Sequence, residues 1–229
     1  MFSEVPLHAH NLPEKTLCLT FDDGPGKTIG GGRGPKTLEL ARYLNQEKIV
    51  SCFFMTGIHL VQYPEIAGKV FELGHIIGNH SFTHARPLPE FLTMGLDLVA
   101  EIEMTDRLIK EFNPDQNIYF RAPWGSWSEE VARELNEKVH NQLNHIGPFH
   151  WDMGSRDWSF WLNEDSSENC AAYYMNEIES KKKGIVLMHD STTDLVKARE
   201  NNLTFETVRL LIPKLKDLGY SFVSLKDIL

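Results

Sequence analysis

The sequence predicts an α/β protein in which about seven parallel strands form a closed or nearly closed barrel. Short apolar runs alternate with longer segments of helical periodicity, a pattern typical of parallel strands joined by helices. The apolar runs carry few polar residues on either face, as expected when helices cover the sheet. The length of 229 residues fits one barrel better than two small domains.

Each element follows from its own local pattern. Apolar runs bounded by turn residues predict strands at residues 16–21, 50–55, 75–78, 117–121, 145–151, 184–189 and 220–223. Helical periodicity predicts helices at residues 35–48, 64–73, 128–139, 168–181 and 205–218, and a long helix within residues 88–112. Ser128 before two glutamates is typical of a helix start, and Gly219 after Leu218 is typical of a helix end. We therefore treat residues 1–229 as a single domain, with residues 1–15 as its N-terminal extension.

The charge balance bears on possible partners. The formal net charge is -9, from 23 basic and 32 acidic side chains. Because phosphate-backbone binding needs clustered Lys and Arg, this acidic chain is not expected to bind nucleic acid. The one basic run, residues 181–183, is interpreted as a solvated helix end. The oligomeric state is left open, with a monomer favoured.

Cysteine usage and targeting signals leave the compartment undecided. Cys18 and Cys52 lie in apolar runs and are expected to be buried, and the odd count of 3 predicts no disulfide framework. Residues 1–15 lack a charged start followed by an apolar stretch, so no signal peptide is predicted. No run approaches the length of a membrane span. A chain trimmed of an export signal would look the same, so localisation stays open.

Polar side chains gather at the carboxyl ends of five predicted strands, where active-site groups collect in parallel α/β folds. Asp22 and Asp23 end the first strand, and two adjacent carboxylates there favour a nearby positive group, although a tight Asp-Gly-Pro turn explains them as well. His80 and His84 are spaced to face one metal, but such pairs are often surface coincidences. The later candidates are the RAPWG segment around Arg121, the aromatic-rich segment around Asp157 and the strand ending in His189. The dense aromatics of the second segment, Trp158 and Trp161 among them, suit a sugar-binding wall, although core packing explains them as well.

The glycine-rich stretch at residues 24–34 raises a different function, a phosphate cradle. It has the residue order of neither the P-loop nor the dinucleotide-binding fingerprint. We therefore interpret it as a flexible loop on the rim of the barrel. Four further histidines have no partner pattern and are interpreted as structural or solvent-exposed: His75, His140, His145 and His150.

The order of these motifs resembles the polysaccharide deacetylase family, the NodB-homology domains of carbohydrate esterase family 4. The resemblance covers nearly the whole chain from residue 16, through TFDDGP, HSFTH, RAPW, GSRDW and LMHD. It implies a distorted (β/α) barrel and an N-deacetylase acting on chitin, chitooligosaccharide or peptidoglycan. By position, Asp23, His80 and His84 resemble the metal ligands, with Ser81 as a supporting hydroxyl.

The resemblance also implies the catalytic groups. Asp22 resembles the base that activates a metal-bound water, and Arg121 resembles the residue that pairs with that base. Asp157 and His189 resemble the coupled pair in which histidine is the general acid. The implied substrate-binding residues are Trp124, whose backbone N–H helps hold the oxyanion, and Trp158 and Leu187, which form walls of the acetyl pocket.

Two imidazoles and one carboxylate predict zinc first, and they also suit Co²⁺, Ni²⁺, Mn²⁺ and Fe²⁺. One departure concerns the family's D-x-x-D-W pattern, where this chain has Gly154 in place of the first Asp. Activity is expected to survive, with altered local support or substrate contacts. The alternatives are an O-acetyl esterase of acetylxylan, a deacylase of a small amide, a non-catalytic carbohydrate-binding relative, and a plain structural α/β domain.

Overall fold

The computed structural model describes residues 1–140 and 142–229. Its strands are β1 (Thr16–Asp22), β2 (Cys52–Met55), β3 (Ile76–Asn79), β4 (Asn117–Tyr119), β5 (Asn144–Ile146), β6 (Met153–Gly154), β7 (Gly184–His189) and β8 (Ser221–Phe222). Its α-helices are α1 (Thr37–Gln46), α2 (Gly57–Gln62), α3 (Pro64–Glu72), α4 (Leu88–Thr93), α5 (Leu98–Ile109), α6 (Glu129–Lys138), α7 (Asp157–Leu162), α8 (Ser167–Lys181), α9 (Val196–Glu200) and α10 (Thr204–Asp217). Short 3₁₀ turns occupy Lys110–Phe112, Pro123–Gly125 and Leu225–Asp227.

All strand pairs are parallel, which confirms the predicted fold class. The main sheet has the order β3-β2-β1-β7-β6, and β8 pairs with the beginning of β1. β4 and β5 form a second ladder, which a parallel bridge between Asn79 and Phe120 joins to the end of β3. In the part of the chain that the structure describes, β5 and β6 do not pair, so the barrel is distorted and open there.

Both faces of the central strand are buried, as the apolar runs predict. Leu17, Leu19 and Phe21 of β1 pack into the main core between the sheet and the helices, whereas Cys18 packs into a second cluster with Cys52 and Phe54. Alternate residues of a strand point to opposite faces, so one seven-residue strand supplies both cores. All three cysteines are free and buried, which confirms the predicted burial of Cys18 and Cys52.

Local signals place several helix ends correctly. The Ser128 side chain accepts a hydrogen bond from the Val131 N–H and caps α6, and Gly219 takes a φ of 80° just after α10. The long helix predicted within residues 88–112 is α5, and the shorter α4 precedes it, separated by a turn in which Gly95 has a φ of 65°. The short elements α2, α7, α9 and β6 were not predicted, since they contain too few residues to show a period.

Several histidines without a partner pattern have structural contacts. His75 is buried between the Ala41 carbonyl and the Ser51 N–H, and His145 Nε2 forms a hydrogen bond of 2.9 Å with Oδ2 of buried Asp106. In residues 1–140 and 142–229, no helix is both long and apolar enough to cross a bilayer.

Candidate active site

The two aspartates after the apolar run of β1 enter one cavity by different routes. Asp22 stays in the strand, in register with Phe54 of β2 and His189 of β7. Asp23 takes a left-handed conformation with a φ of 72°, which Asp tolerates better than most residues. This turn brings the Asp23 carboxylate beside that of Asp22, and both line the same cavity.

Neighbouring polar groups hold the Asp23 turn. The Thr193 N–H donates to Asp23 Oδ2 at 3.2 Å, and His59 Nδ1 donates to the Asp23 carbonyl at 2.6 Å. Burial by itself raises the pKa of Asp23, but the nearby imidazoles His84, His189 and His80 outweigh it, so the pKa lies below its ordinary value. The carboxylate form is thus favoured, as metal ligation requires.

The histidine motif is a compact loop after β3 rather than a helix. Ser81 and His84 both have positive φ, at 63° and 53°. Buried Glu101 of α5 holds this loop, since its Oε2 accepts from the Phe82 and Thr83 N–H groups at 3.0 and 2.9 Å. The Ser81 hydroxyl accepts from the His84 N–H at 3.2 Å. These bonds place both imidazoles on the cavity side.

Asp23, His80 and His84 form a group that could bind a metal. All three are buried, and one ligand atom from each lies within 4.8 Å of the others. Asp23 Oδ1 is 3.5 Å from His80 Nε2 and 3.4 Å from His84 Nε2. Neighbouring ligands of a tetrahedral zinc ion lie about 3.4 Å apart, given zinc–ligand distances of about 2.1 Å. Asp23 Oδ1 is also buried without a hydrogen-bond partner among the described residues, so the donor set fits a divalent cation.

The second nitrogen of each imidazole is already engaged. His80 Nδ1 donates to the Arg121 carbonyl at 2.8 Å, and His84 Nδ1 donates to Asp194 Oδ2 at 2.8 Å. Such bonds fix the tautomer and leave Nε2 as the available donor to a metal. Burial lowers the pKa of His80. Burial also acts to lower the pKa of His84, but the Asp23 and Asp194 carboxylates outweigh it and raise that pKa.

Asp194 was not predicted, and its role leads to a first prediction. Asp194→Ala is expected to weaken zinc binding by about 10–100-fold, because His84 loses the acceptor that orients it. The measurement is competition with a chelator of known affinity. Asp194→Asn is the matched control, since its amide oxygen still accepts from Nδ1–H and a smaller loss is expected. Equal zinc affinity in Asp194→Ala and the unmodified protein would exclude this role.

Arg121 orients Asp22 from beneath the cavity. Its side chain is fully buried, and Nη1 lies 2.8 Å from both Asp22 Oδ1 and Thr20 Oγ1. Nε donates to the Phe149 carbonyl at 3.1 Å, which fixes the plane of the guanidinium. With Oδ1 engaged, Asp22 Oδ2 lies 3.5 Å from His80 Nε2, beside the candidate metal site. Arg121 therefore holds Oδ1 of Asp22, while Oδ2 lies beside the candidate metal site.

Asp157 and His189 form the second titratable pair. Asp157 begins α7, and its Oδ1 lies 2.7 Å from His189 Nδ1 while its Oδ2 accepts from the His189 N–H at 2.6 Å. Burial acts to lower the pKa of His189, but the Asp157 carboxylate outweighs it and raises the pKa to about 9. The imidazolium is therefore retained at neutral pH and lost as the pH rises through about 9.

This pairing gives a second prediction. In metal-free protein, Asp157→Asn is expected to lower the pKa of His189 from about 9 toward the ordinary value, because the imidazolium loses its anionic partner. An NMR titration of the imidazole resonances measures the change. Asp115→Asn, at an exposed position, is the control that should leave it unaffected. If His189 still titrates near 9 in Asp157→Asn, another group maintains its charge.

The cavity measures about 290 Å³, and aromatic side chains form much of its wall. Trp124 is 47% exposed, and its ring centroid lies 4.2 Å from that of His84. Trp151, Trp158 and Leu187 also line the cavity. Trp161 does not, because it is fully buried in the main core, so its interpretation as a sugar-binding residue was wrong.

Gly154 lies outside the cavity and is needed for packing. It has a φ of 91°, and a Cβ there would lie 2.4 Å from the Leu187 carbonyl oxygen. Its N–H donates to Glu177 Oε2 at 3.1 Å. An Asp side chain at this position would therefore require the β6–β7 pair to move. Gly154, which replaces the first Asp of the family's D-x-x-D-W pattern, thus lies where the backbones of β6 and β7 approach closely.

A third prediction follows for Gly154. Gly154→Ala is expected to reduce the free energy of unfolding by about 2–4 kcal/mol, because positive φ and overpacking add. Urea unfolding measures the loss. Gly219→Ala is the control, since Gly219 has a φ of 80° but nothing within 4 Å of an added Cβ. Equal losses in the two variants would mean that the contact with Leu187 carries no cost.

Asp190, beside His189, packs against Gly24 in the turn that follows Asp23. The Thr37 hydroxyl donates to its Oδ2, and burial raises the pKa of the Asp190 carboxyl to about 7. A Cβ on Gly24 would lie 2.2 Å from that oxygen, so only glycine fits between Asp23 and this carboxyl group.

The sequence alone assigned no role to four residues that support the site: Asp190, His59, Glu101 and Asp194. Of these four residues, only Asp190 lies in a motif that the sequence showed, because it follows His189 in LMHD.

Comparison with known proteins agrees with this geometry. The sequence matches the polysaccharide deacetylase family over residues 9–142. It is 28% identical to the peptidoglycan-N-acetylmuramic acid deacetylase PdaA of Bacillus subtilis, over 96% of this chain and 73% of that protein. It is 26% identical to a chitooligosaccharide deacetylase of Rhizobium leguminosarum bv. trifolii, over 97% of this chain and 96% of that protein. The structure of the polysaccharide deacetylase Bc1974 from Bacillus cereus aligns with a TM-score of 0.66 and 25% identity, over 92% of this chain and 91% of that one.

Proposed function

The chain belongs to the polysaccharide deacetylase family, and we propose that it hydrolyses N-acetyl groups of a glycan containing N-acetylglucosamine. The substrate class is a chitin-type oligomer or polymer, or peptidoglycan. The names of the relatives support this class, because they include a peptidoglycan deacetylase and a chitooligosaccharide deacetylase. The observation that carries the proposal is that Asp22, the Asp23–His80–His84 group and His189 line one cavity.

Zinc is the proposed cation for Asp23, His80 and His84, and Co²⁺, Ni²⁺, Mn²⁺ and Fe²⁺ share the preference for imidazole and carboxylate. When bound, such a cation supplies Lewis-acid chemistry, polarising the acetyl carbonyl and making water nucleophilic near neutral pH. Three protein ligands leave positions open for water and substrate, unlike the four of a closed structural site. All of the proposed catalytic groups come from one chain, so the proposal takes the protein as a monomer.

Asp22 is the proposed base. Its Oδ2 takes the proton from the attacking water, while Arg121 holds Oδ1 at 2.8 Å and thereby fixes the direction of transfer. Oδ2 keeps its direction only if the Arg121 guanidinium, which holds Oδ1, stays rigid. Its full burial and its bond to the Phe149 carbonyl provide that rigidity.

His189 is the proposed acid, and Trp124 is proposed to help hold the oxyanion. Nδ1 of His189 is engaged by Asp157, so Nε2 is the nitrogen that donates a proton to the departing amine as the C–N bond breaks. The products are acetate and a free amino sugar.

The backbone N–H of Trp124 is the proposed oxyanion donor, and loss of one such donor typically costs about 3 kcal/mol. The Trp124 and Trp158 rings would stack on the sugar.

The test is an acetate-release screen over chitooligosaccharides, peptidoglycan and acetylxylan. Metal-stripped protein is reloaded with Zn²⁺, Co²⁺, Ni²⁺, Mn²⁺ or Fe²⁺ before each assay. The proposal expects acetate from chitooligosaccharides or peptidoglycan, with little release from the stripped protein. Release from acetylxylan alone would instead support an O-acetyl esterase. No release from any substrate with any metal would favour a carbohydrate-binding relative or a deacylase of small amides.

A further inference from the structure

A second cavity, of about 270 Å³, is separate from the metal cavity and has no part in the proposed reaction. The glycine-rich loop forms one wall, the end of α2 forms another, and the segment from residue 191 to the end of α9 forms the third. Its lining residues differ from those of the metal cavity throughout. Arg33 and Arg199 can therefore be altered without touching the proposed catalytic groups, whereas His59, which also lines this cavity, contacts the Asp23 carbonyl.

The charged side chains of this second cavity are mostly cationic. Lys27, Arg33 and Arg199 line it, against one carboxylate, that of Glu200. Lys27 is already compensated, because its Nζ lies 2.9 Å from Glu65. Within residues 1–140 and 142–229, neither arginine has a carboxylate oxygen within 4.0 Å. The Glu164 and Asp165 carboxylates interact with Arg33 over a longer distance, but neither residue lines the cavity, so no carboxylate of the described residues pairs with either lining arginine at contact distance.

The two arginines are positioned by main-chain carbonyls. Arg33 Nη2 donates to the carbonyls of Glu164 and Asp165 at 3.1 and 3.0 Å. Arg33 Nη1 is buried and has no acceptor among the described residues. Arg199 Nη1 is 3.4 Å from the Thr192 carbonyl. Neutral carbonyls orient these groups but leave their charge available to a ligand.

Ser191 supplies an independent donor that lacks a partner. The residue is fully buried and lines the cavity, and its hydroxyl has no hydrogen-bond partner in the described part of the chain. A buried polar atom without a partner is unfavourable, and native proteins usually satisfy such atoms with a ligand or water. Ser191 Oγ and Arg33 Nη1 are two such donors in one cationic cavity.

We propose that this cavity binds a doubly charged tetrahedral oxyanion of the phosphate class, held by Arg33, Arg199 and Ser191. Arg33 Nη1 and the free N–H groups of Arg199 can each donate a charge-assisted hydrogen bond to an oxygen of such an anion, and the Ser191 hydroxyl can donate to a third. The loop contributes side chains rather than a backbone cradle, since the Gly26 N–H donates to Thr37 Oγ1 and the Gly34 N–H to the Asn202 carbonyl.

The test is calorimetric titration of the zinc-loaded full chain with inorganic phosphate at constant ionic strength. One phosphate per chain is expected. Arg33→Gln and Arg199→Gln are each expected to weaken binding about tenfold or more, because each removes a charge-assisted pair. Arg107→Gln is the matched control, as it removes the same charge at an exposed position on α5 and should leave the affinity unchanged. Acetate release without phosphate should persist in all three variants.

The same titration on metal-stripped protein separates this cavity from the metal site. Phosphate bound at the metal would compete with substrate, would be lost on stripping and would survive both arginine substitutions; that result overturns the proposal. Absence of binding at millimolar phosphate, or acetate binding as tightly as phosphate, overturns it too. Arg33→Lys keeps a positive charge and therefore disturbs folding least. It is expected to bind phosphate more weakly than the unmodified chain, since a lysine has one nitrogen and cannot be held by the Glu164 and Asp165 carbonyls through one nitrogen while another donates to the anion.

Discussion

Asp22→Asn is expected to lower kcat by about 10⁴-fold, the upper end of what a positioned base contributes. The amide is nearly isosteric with the carboxylate but cannot take a proton from water. Arg121 is oriented to hold Oδ1 at 2.8 Å and has no acceptor capacity of its own, so it cannot replace the base. Steady-state acetate release from the substrate identified in the screen measures the loss.

Two controls separate this effect from metal loss and misfolding. Zinc stoichiometry in Asp22→Asn should equal that of the unmodified protein, because Asp23, His80 and His84 are untouched. Asp217→Asn removes one carboxylate at an exposed position and should leave kcat unchanged. Full activity in Asp22→Asn with zinc bound would refute the assignment of Asp22 as the base.

His80→Ala is expected to lower zinc content well below one ion per chain and to reduce kcat/KM by about 10³-fold or more. The substitution removes one of three ligands and leaves Asp23 Oδ1 with His84 alone at 3.4 Å. It also leaves the Arg121 carbonyl without its donor. Elemental analysis after exhaustive dialysis gives the stoichiometry.

The control for this change is His10→Ala, which removes an exposed histidine outside the metal cavity. It should retain both zinc and activity. Because His80 is buried, circular dichroism and the thermal midpoint of metal-free protein establish whether His80→Ala folds. A folded variant with unchanged zinc stoichiometry would remove His80 from the ligand set.

Local patterns were sufficient for much of the fold. The long helices and apolar strands were predicted because each contains enough residues to show its period, and Ser128 and Gly219 marked helix ends through local backbone chemistry. Trp161 was misinterpreted because an aromatic side chain suits a core as well as a sugar-binding wall.

The sequence by itself determined which residue types end the parallel strands, and therefore that Asp22, Asp23, Arg121 and His189 lie at the same end of the barrel. Parallel register makes this a consequence of local pattern, since Asp22 pairs with His189 directly. Only the tertiary structure decided which groups support them. Asp194, His59 and Glu101 act through hydrogen bonds between segments far apart in the chain. Such contacts depend on how loops pack together, and no sequence period records that packing.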